Sequence, residues 1–213
     1  MIKKITKKDG LPISVIVPLS LERESFFNDF TLPLIESNNP SEIIIVKKKG
    51  NAPEKRNEGF QNSQQPFVFF CDDDILLPKQ HLLRLYECLK QNQEAGYSYS
   101  GYKGIVLNPK KHPMKGNFET KTVDFDLNRL MMGNFISTMS LIRREFFENF
   151  DESLKRFQDW DLWIRLAKKG IFGKAVFDNE FYAFYLDEGI TTDDNSYKEA
   201  LNKLIEKHNK NEN

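Results

Sequence analysis

Three short runs carry the strongest apolar character in this chain, at residues 13–17, 43–46 and 67–70. Each is β-branched or aromatic at nearly every position and is bounded by Pro, Gly or Asp. Continuous runs of that length read as strands buried on both faces, as in a parallel sheet covered by helices. The intervening segments have helical spacing. Residues 21–37 place Phe26, Phe27 and Phe30 on one face, with Pro33 expected to break the segment. Residues 53–62 begin with a proline suited to a first helical turn. Residues 79–93 distribute Leu82, Leu83, Leu85, Tyr86 and Leu89 around an amphipathic helix. The order β-α-β-α-β-α implies right-handed crossovers and a doubly wound α/β sheet, mixed but mostly parallel and flanked by helices, in a single domain.

The second half is less regular. Residues 97–107 alternate around Gly101 and Gly104 and read as one or two strands. Residues 108–121, rich in Pro, Lys and Gly, read as an exposed loop of the kind that often closes over a substrate. A short helix is expected at 126–132, a strand at 138–142 and another helix at 143–149. An amphipathic helix at 158–169 carries Leu162, Ile164, Leu166 and Ala167 and stops at Gly170. Strands at 171–177 and 181–185 follow, then a polar helix from about Ser196.

Charge narrows the function. The 213 residues hold 31 basic and 31 acidic side chains, and that balance argues against a nucleic-acid partner, which calls for surplus Lys and Arg. With 39% hydrophobic residues and 18 Phe, the chain has material for a sizeable core. Cys71 and Cys88 form no CxxC or disulfide framework, which suits a reducing compartment. Lys3, Lys4, Lys7 and Lys8 are interrupted by Thr6, Asp9 and Gly10, so residues 1–11 read as a basic segment rather than a secretory leader. No apolar stretch approaches the roughly 18 residues of a membrane span. A cytoplasmic protein is expected, with peripheral contact at the inner face of the membrane left open. His81, His112 and His208 share no metal-ligand spacing and are expected on the surface.

Ligands of an open parallel sheet bind beyond the carboxyl ends of its strands. Those ends are Pro18-Leu19-Ser20, the lysines 47–49, and Cys71-Asp72-Asp73-Asp74. Three adjacent carboxylates repel one another, and such clusters are usually tolerated because a cation binds there. Mg²⁺ or Mn²⁺ suits a site where one or two carboxylates share the ion with substrate phosphates. An acidic turn capping the next helix is the alternative, and the residues alone leave both open.

The segments SVIVPLS, EIIIVKKKGN, APEKRNEGF, FVFFCDDDILLP and NFISTMSLIRREFFENFDESLKRFQDWDLWIRLAKKG resemble, in order and spacing, the family 2 glycosyltransferases of the GT-A fold. The resemblance covers about residues 12–192, divided at 107 into a nucleotide-sugar-binding half and an acceptor half, with 193–213 as a polar tail. It implies transfer of a sugar from a nucleotide-sugar donor to an acceptor hydroxyl, with inversion and usually with a divalent metal. The leaving diphosphate must be neutralised and the hydroxyl must lose its proton.

Residue by residue, the resemblance implies that Asp73 of the DxD-type motif, an exposed loop position, binds metal and diphosphate, with Asp74 nearby and Asp72 towards the ribose. Pro18, Leu19, Lys47 and Lys48 would line the donor pocket. Arg56 and Asn57 match the RN of an ARNxG motif, and Gly59 its glycine. Asp159 matches the catalytic base, its alternative being a helix N-cap. Asn134, Trp160 and Asp161 would shape the acceptor side, while Trp163 is expected in the core. The chain departs from the family pattern in having lysines after EIIIV, Cys71 at the first DxD position, and no late histidine. Asp187 stands in that last region as a possible metal or lid residue. The expected donor is a UDP-sugar, and the acceptor a glycan or glycolipid of a bacterial surface polymer such as lipopolysaccharide or capsule. A catalytically silent nucleotide-sugar-binding module is the competing reading. A nucleotidyltransferase is disfavoured because no Gly-rich phosphate loop appears near residue 18.

Overall fold

The computed structural model describes residues 1–108, 116–185 and 194–209. Its centre is three parallel strands, β2 (Leu11–Val17), β3 (Pro40–Val46) and β4 (Phe67–Phe70), in the spatial order β3-β2-β4. Successive side chains alternate between two cores. Ile13, Val15, Val17, Ile43, Ile45, Phe67 and Phe69 face one, and Ile16, Ile44, Val46, Val68 and Phe70 face the other. That is why these runs are apolar at every position rather than at every second one. The first core is closed by α2 (Leu32–Ser37) and by Leu82, Leu85 and Leu89 of α4 (His81–Gln91). The second is closed by α3 (Ala52–Gln61), α5 (Leu127–Met132), α6 (Gln158–Lys168) and α7 (Asp194–Asn209).

The seven-stranded sheet runs β1-β3-β2-β4-β9-β6-β10. Strands β6 (Tyr97–Tyr99) and β10 (Gly173–Ala175) share the direction of the central three, whereas β1 (Ile2–Thr6) and β9 (Leu141–Arg143) run against it. A four-stranded sheet, β5-β11-β7-β8, lies beyond the end of β4. It is made of β5 (Ile75–Leu76), β11 (Phe181–Tyr185), β7 (Tyr102–Val106) and β8 (Phe118–Thr120). Residues 97–107 are therefore two strands in different sheets. They are divided at Gly101, where a Cβ would meet the Thr120 carbonyl oxygen at 2.2 Å.

Several expectations are corrected. The basic segment 1–11 contains an edge strand beside β3, in which Ile2 and Ile5 turn to opposite cores while Lys3 and Lys4 stay exposed. Lys4 Nζ reaches Glu42 Oε1 at 2.5 Å, and the buried Glu42 also accepts from Ser14 Oγ and from the Gln64 amide. Burial pushes the Glu42 carboxyl up, but those three partners prevail and hold it below its ordinary value. Pro33 does not break residues 21–37. A 3-10 turn (Leu21–Arg23), α1 (Glu24–Phe26) and a wide π turn (Phe27–Thr31) lead directly into α2, with Pro33 in its first turn. The wide turn places the missing N–H and the ring where neither disrupts a hydrogen bond.

The helix expected at 143–149 is only a 3-10 turn (Arg144–Phe146). Arg143 instead donates to the carbonyls of Leu89, Asn92 and Ala95, closing the C-terminal end of α4. The strands expected at 138–142 and 171–177 contract to β9 and β10. In the loop expected at 108–121, residues 118–120 form β8 and residues 109–115 lie outside the described residues.

Two histidines expected on the surface are buried, and His112 lies outside the described residues. His81 sits edge-on to the rings of Phe69 and Phe181 with both ring nitrogens buried, and the Asn179 backbone beside it only partly opposes the effect of burial. Burial pushes it down to about 3. The unfolded chain then takes up the proton first, so the stability present above the ordinary value of 6.5 is lost as pH falls, by about 1.4 kcal/mol per unit. His81→Leu should remove this penalty. Urea unfolding at pH 7 and pH 5 should show the variant gaining about 2 kcal/mol on the native protein across that interval. Parallel stability curves would reject the buried neutral imidazole.

Candidate active site

The chain leaves β2, returns on one side through β3 and then on the other through β4. The carboxyl end of β2 is thus the point where strand order reverses, and crevices at such points bind ligands. The acidic turn lies there, between β4 and β5. The Phe184 amide donates to the Asp74 carbonyl and Thr31 Oγ1 donates to the Asp73 carbonyl, tying the turn to β11 and to the π turn. Its side chains are not an open carboxylate cluster. Asp73, expected to be exposed, has a side chain only 1% accessible. Its Oδ2 accepts from the Ser20 amide at 2.6 Å, and its Oδ1 lies 2.7 Å from Arg23 Nε. That second contact is close but poorly aligned, so it is an ion pair rather than a directed hydrogen bond. Asp74 Oδ2 lies 3.5 Å from Arg23 Nη1, and Asp72 Oδ1 accepts from Arg56 Nη2 at 2.5 Å. Burial pushes the Asp73 carboxyl up and Asp74 up to about 7, against the opposing charge of Arg23. Cys71 is fully buried, and burial together with the neighbouring carboxylates pushes its thiol well up. It is inert at neutral pH.

These residues do not fit the divalent-metal site expected of Asp73 and Asp74. Both oxygens of Asp73 are engaged by the chain itself, and a guanidinium holds the position from which an ion would bridge the two carboxylates. No group of three or more His, Cys, Asp or Glu side chains among the described residues is arranged to hold a metal. Asp187 lies outside the described residues.

Helix α3 starts where Asn51 accepts from the Glu54 amide and Pro53 occupies the first turn. Three consecutive polar residues on it are buried. Arg56 spans the site, holding Asp72 with Nη2 and donating from Nη1 to Gln158 Oε1 at 3.0 Å. Asn57, expected to touch the donor, is spent on structure. Its Nδ2 donates to the Phe150 carbonyl and to Glu152, and its Oδ1 accepts from the Phe150 amide at 2.8 Å. Lys55 Nζ donates to the Leu19 carbonyl at 2.9 Å, and burial lowers its pKa although Asp73 opposes that. Gly59 lets α3 lie directly on β2, because a Cβ there would meet Ile16 Cγ2 at 2.3 Å. Pro18 and Leu19 are buried at the strand end. Lys47 is paired with Glu24 at 2.6 Å and Lys48 with Glu58. Both expected donor lysines are therefore neutralised by neighbouring acids.

Helix α6 carries Asp159 in its first turn. The N-cap is Phe157, in the left-handed region at φ 61°, so Asp159 is not the cap. Its Oδ2 accepts from Asn134 Nδ2 at 3.0 Å and its Oδ1 from the Trp160 amide at 2.9 Å. Burial pushes the carboxyl up, opposed by that amide, by Arg56 and by Asn134. Asn134 itself is exposed. Trp160, expected on the acceptor side, is buried and donates to the Leu130 carbonyl of α5. Trp163 is in the core as expected, stacked on Tyr97 with centroids 4.4 Å apart. Asp161 is fully buried and faces away from the site. It takes Arg165 Nε at 2.9 Å, Lys207 Nζ at 2.7 Å and His208 Nε2 at 3.0 Å.

Residues 28–150 match the family model for Glycosyl transferase family 2. The chain belongs to that family. The family 2 match runs from the π turn to Phe150 and ends before Asp159. YwdF, an uncharacterized glycosyltransferase of Bacillus subtilis (strain 168), is 23% identical over 178 residues, covering 79% of this chain and 65% of YwdF. The crystal structure of S. aureus TarS 1-349 superposes with a TM-score of 0.59 at 16% identity, over 91% of this chain and 64% of that one. The TarS 1-349 complex with UDP-GlcNAc gives 0.58 at 16% identity, over 84% and 60%. These likenesses show the GT-A fold, and the chain spans just under two thirds of the relatives' length.

Three polar residues of this family 2 site escaped the sequence reading. Arg23 looked like one charge in an ordinary helical segment, and its distance in sequence from Asp73 gave no signal. Lys55 adjoins the RN pair, and a lysine in the buried face of a helix next to a strand end was the available clue. Gln158 was hidden by its neighbour. Asn57 provides the test: Asn57→Ala strands the buried Phe150 amide and should cost about 2 to 3 kcal/mol. Nucleotide affinity at a temperature where the variant is folded should stay within about threefold of native, since a group that touches no ligand contributes no binding energy. Thermal unfolding and calorimetry check this, and intact stability with lost affinity would restore Asn57 as a donor contact.

Proposed function

We propose that this chain is an inverting glycosyltransferase that moves a sugar from a UDP-sugar to a hydroxyl of a glycan or glycolipid acceptor, acting in the cytoplasm in the assembly of a bacterial surface polymer such as lipopolysaccharide or capsule. The observation that carries this reading is Arg56, which holds Asp72 of the acidic turn and Gln158 beside Asp159 at once. One guanidinium thereby links the nucleotide side to the base side. TarS forms complexes with UDP and with UDP-GlcNAc, which supports a uridine nucleotide.

In this reading Asp159 is the general base. Asn134 and the Trp160 amide orient its two oxygens, and burial keeps its proton affinity raised against them and against the charge of Arg56. It takes the proton of the acceptor hydroxyl as that oxygen attacks the anomeric carbon, and the nucleoside diphosphate leaves from the opposite face of the ring. A positioned base of this kind contributes roughly 100- to 10,000-fold. Because burial raises its pKa, the acid limb of the pH–rate profile should lie above the ordinary carboxylate range. The catalytically silent module draws support from the full internal pairing of Asp73.

The two readings separate at Asp159→Asn. The amide keeps the shape and can still accept from the Trp160 N–H, so melting temperature and UDP affinity should barely move. Single-turnover transfer should fall at least about 100-fold. Transfer within about tenfold of native, a loss too small for a general base, would remove Asp159 from the mechanism.

A further inference from the structure

The metal expected at the acidic turn and the residues found there disagree. We propose that Arg23, in place of a divalent ion, is the cation that receives the diphosphate of the donor. The proposal rests on the nucleotide-sugar reading of this site.

Asp72, Asp73 and Asp74 are met by Arg56, by Arg23 and, behind them, by the buried ammonium of Lys55. The acids of the turn thus have counter-charges from their own chain and do not depend on an added ion to be held together. Access points the same way. The Asp73 side chain is 1% accessible, and a metal reaching it would have to displace Arg23 and compete with the 2.6 Å bond from Ser20. Arg23, in contrast, is 41% accessible. Its Nε rests on Asp73 and its Nη1 faces Asp74, while Nη2 has no hydrogen bond among the described residues. The guanidinium is held through Nε and Nη1, and Nη2 is left for a ligand, near the carboxyl end of β2 where the strand order reverses. Held in this way it can offer Nη2, with the outer hydrogen of Nη1, to phosphate oxygens. Lys55 spends its ammonium on the Leu19 carbonyl and adds positive potential from beneath.

The test is calorimetric binding of UDP, with inorganic pyrophosphate as a probe lacking the base, in EDTA and in Mn²⁺. Native protein should bind UDP in EDTA with an affinity within about threefold of that in Mn²⁺. Arg23→Met should lose at least about tenfold in EDTA, the scale of a charge-assisted phosphate contact. Mn²⁺ should restore most of that loss, because removal of the guanidinium frees the two carboxylates for an ion. Titration of Mn²⁺ alone, followed by electron paramagnetic resonance, should then show a site in Arg23→Met that native protein lacks. Arg23→Lys, which keeps the charge and loses the fork, should fall between the two and covers the case in which Arg23→Met does not fold. Native UDP binding that is abolished by EDTA would overturn the proposal, as would Arg23→Met or Arg23→Lys binding UDP in EDTA as native does. Native protein that binds neither probe in either condition would overturn the nucleotide reading itself, and the role of Arg23 with it.

Discussion

Three adjacent strands that must be covered on both faces constrain everything else in this molecule. Burying β2, β3 and β4 on two sides stabilises the fold by the removal of their β-branched and aromatic side chains from water. It also leaves little of these strands open except their ends. The helices are committed to the faces: α2 and α4 on one, α3, α5, α6 and α7 on the other. Polar side chains that need a partner therefore collect where β2 and β4 end, and the acidic turn, the Ser20 amide, Arg23 and Arg56 meet there. The site is a consequence of how the core is closed.

A burial rule then sorts the acids. Carboxylates removed from water need several donors or a counter-charge. Glu42 has Lys4, Ser14 and the Gln64 amide. Asp161 has Arg165, Lys207 and His208. Asp73 has Arg23 and the Ser20 amide. Burial alone would raise all three, and for Glu42 and Asp161 the partners win. Asp159 breaks the pattern, for among the described residues its hydrogen bonds come only from a neutral amide side chain and a backbone N–H. An acid oriented by neutral donors, with Arg56 acting on it only through space, keeps a raised affinity for a proton. That distinguishes a candidate base from a structural anchor more sharply than a shared sequence motif does.

The fold was legible because its signals are local. Period and length mark β2, β3, β4, α3, α4 and α6 within two or three residues, since a strand buried on both faces and an amphipathic helix each write their own pattern. Elements set by distant partners were not legible. Strand β1 is an edge strand whose adjacent lysines look like a charged leader until Glu42 is placed beside them. Residues 144–146 are held by Arg144 on the Gln65 carbonyl and on Ser63, not by helical propensity. Within the site, residue types read correctly while their duties did not. The RN pair is central, yet Arg56 joins two halves of the chain and Asn57 pins the turn at Phe150. Lys47 and Lys48 looked free because Glu24 and Glu58 lie on other elements. His81 and His208 looked exposed because a lone histidine in a helix carries no mark of burial.

The segment Asp159-Trp160-Asp161 shows why motif position alone could not settle roles. Successive residues of a helix step about 100° around its axis, so side chains two apart point in nearly opposite directions. Asp159 is turned towards Asn134 and the side of the site that Gln158 and Arg56 reach, and Asp161 is turned towards α7. The second acid thus attaches the polar C-terminal helix to the back of the helix that carries the first. Lys168 Nζ donating to the His208 carbonyl and Lys207 reaching Asp151 reinforce that attachment. With Leu166 and Leu204 in the same core, α7 is part of the support of α6 rather than an appended tail. The position of the candidate base is therefore fixed from both sides, by Arg56 and Gln158 in front and by the Asp161 cluster behind.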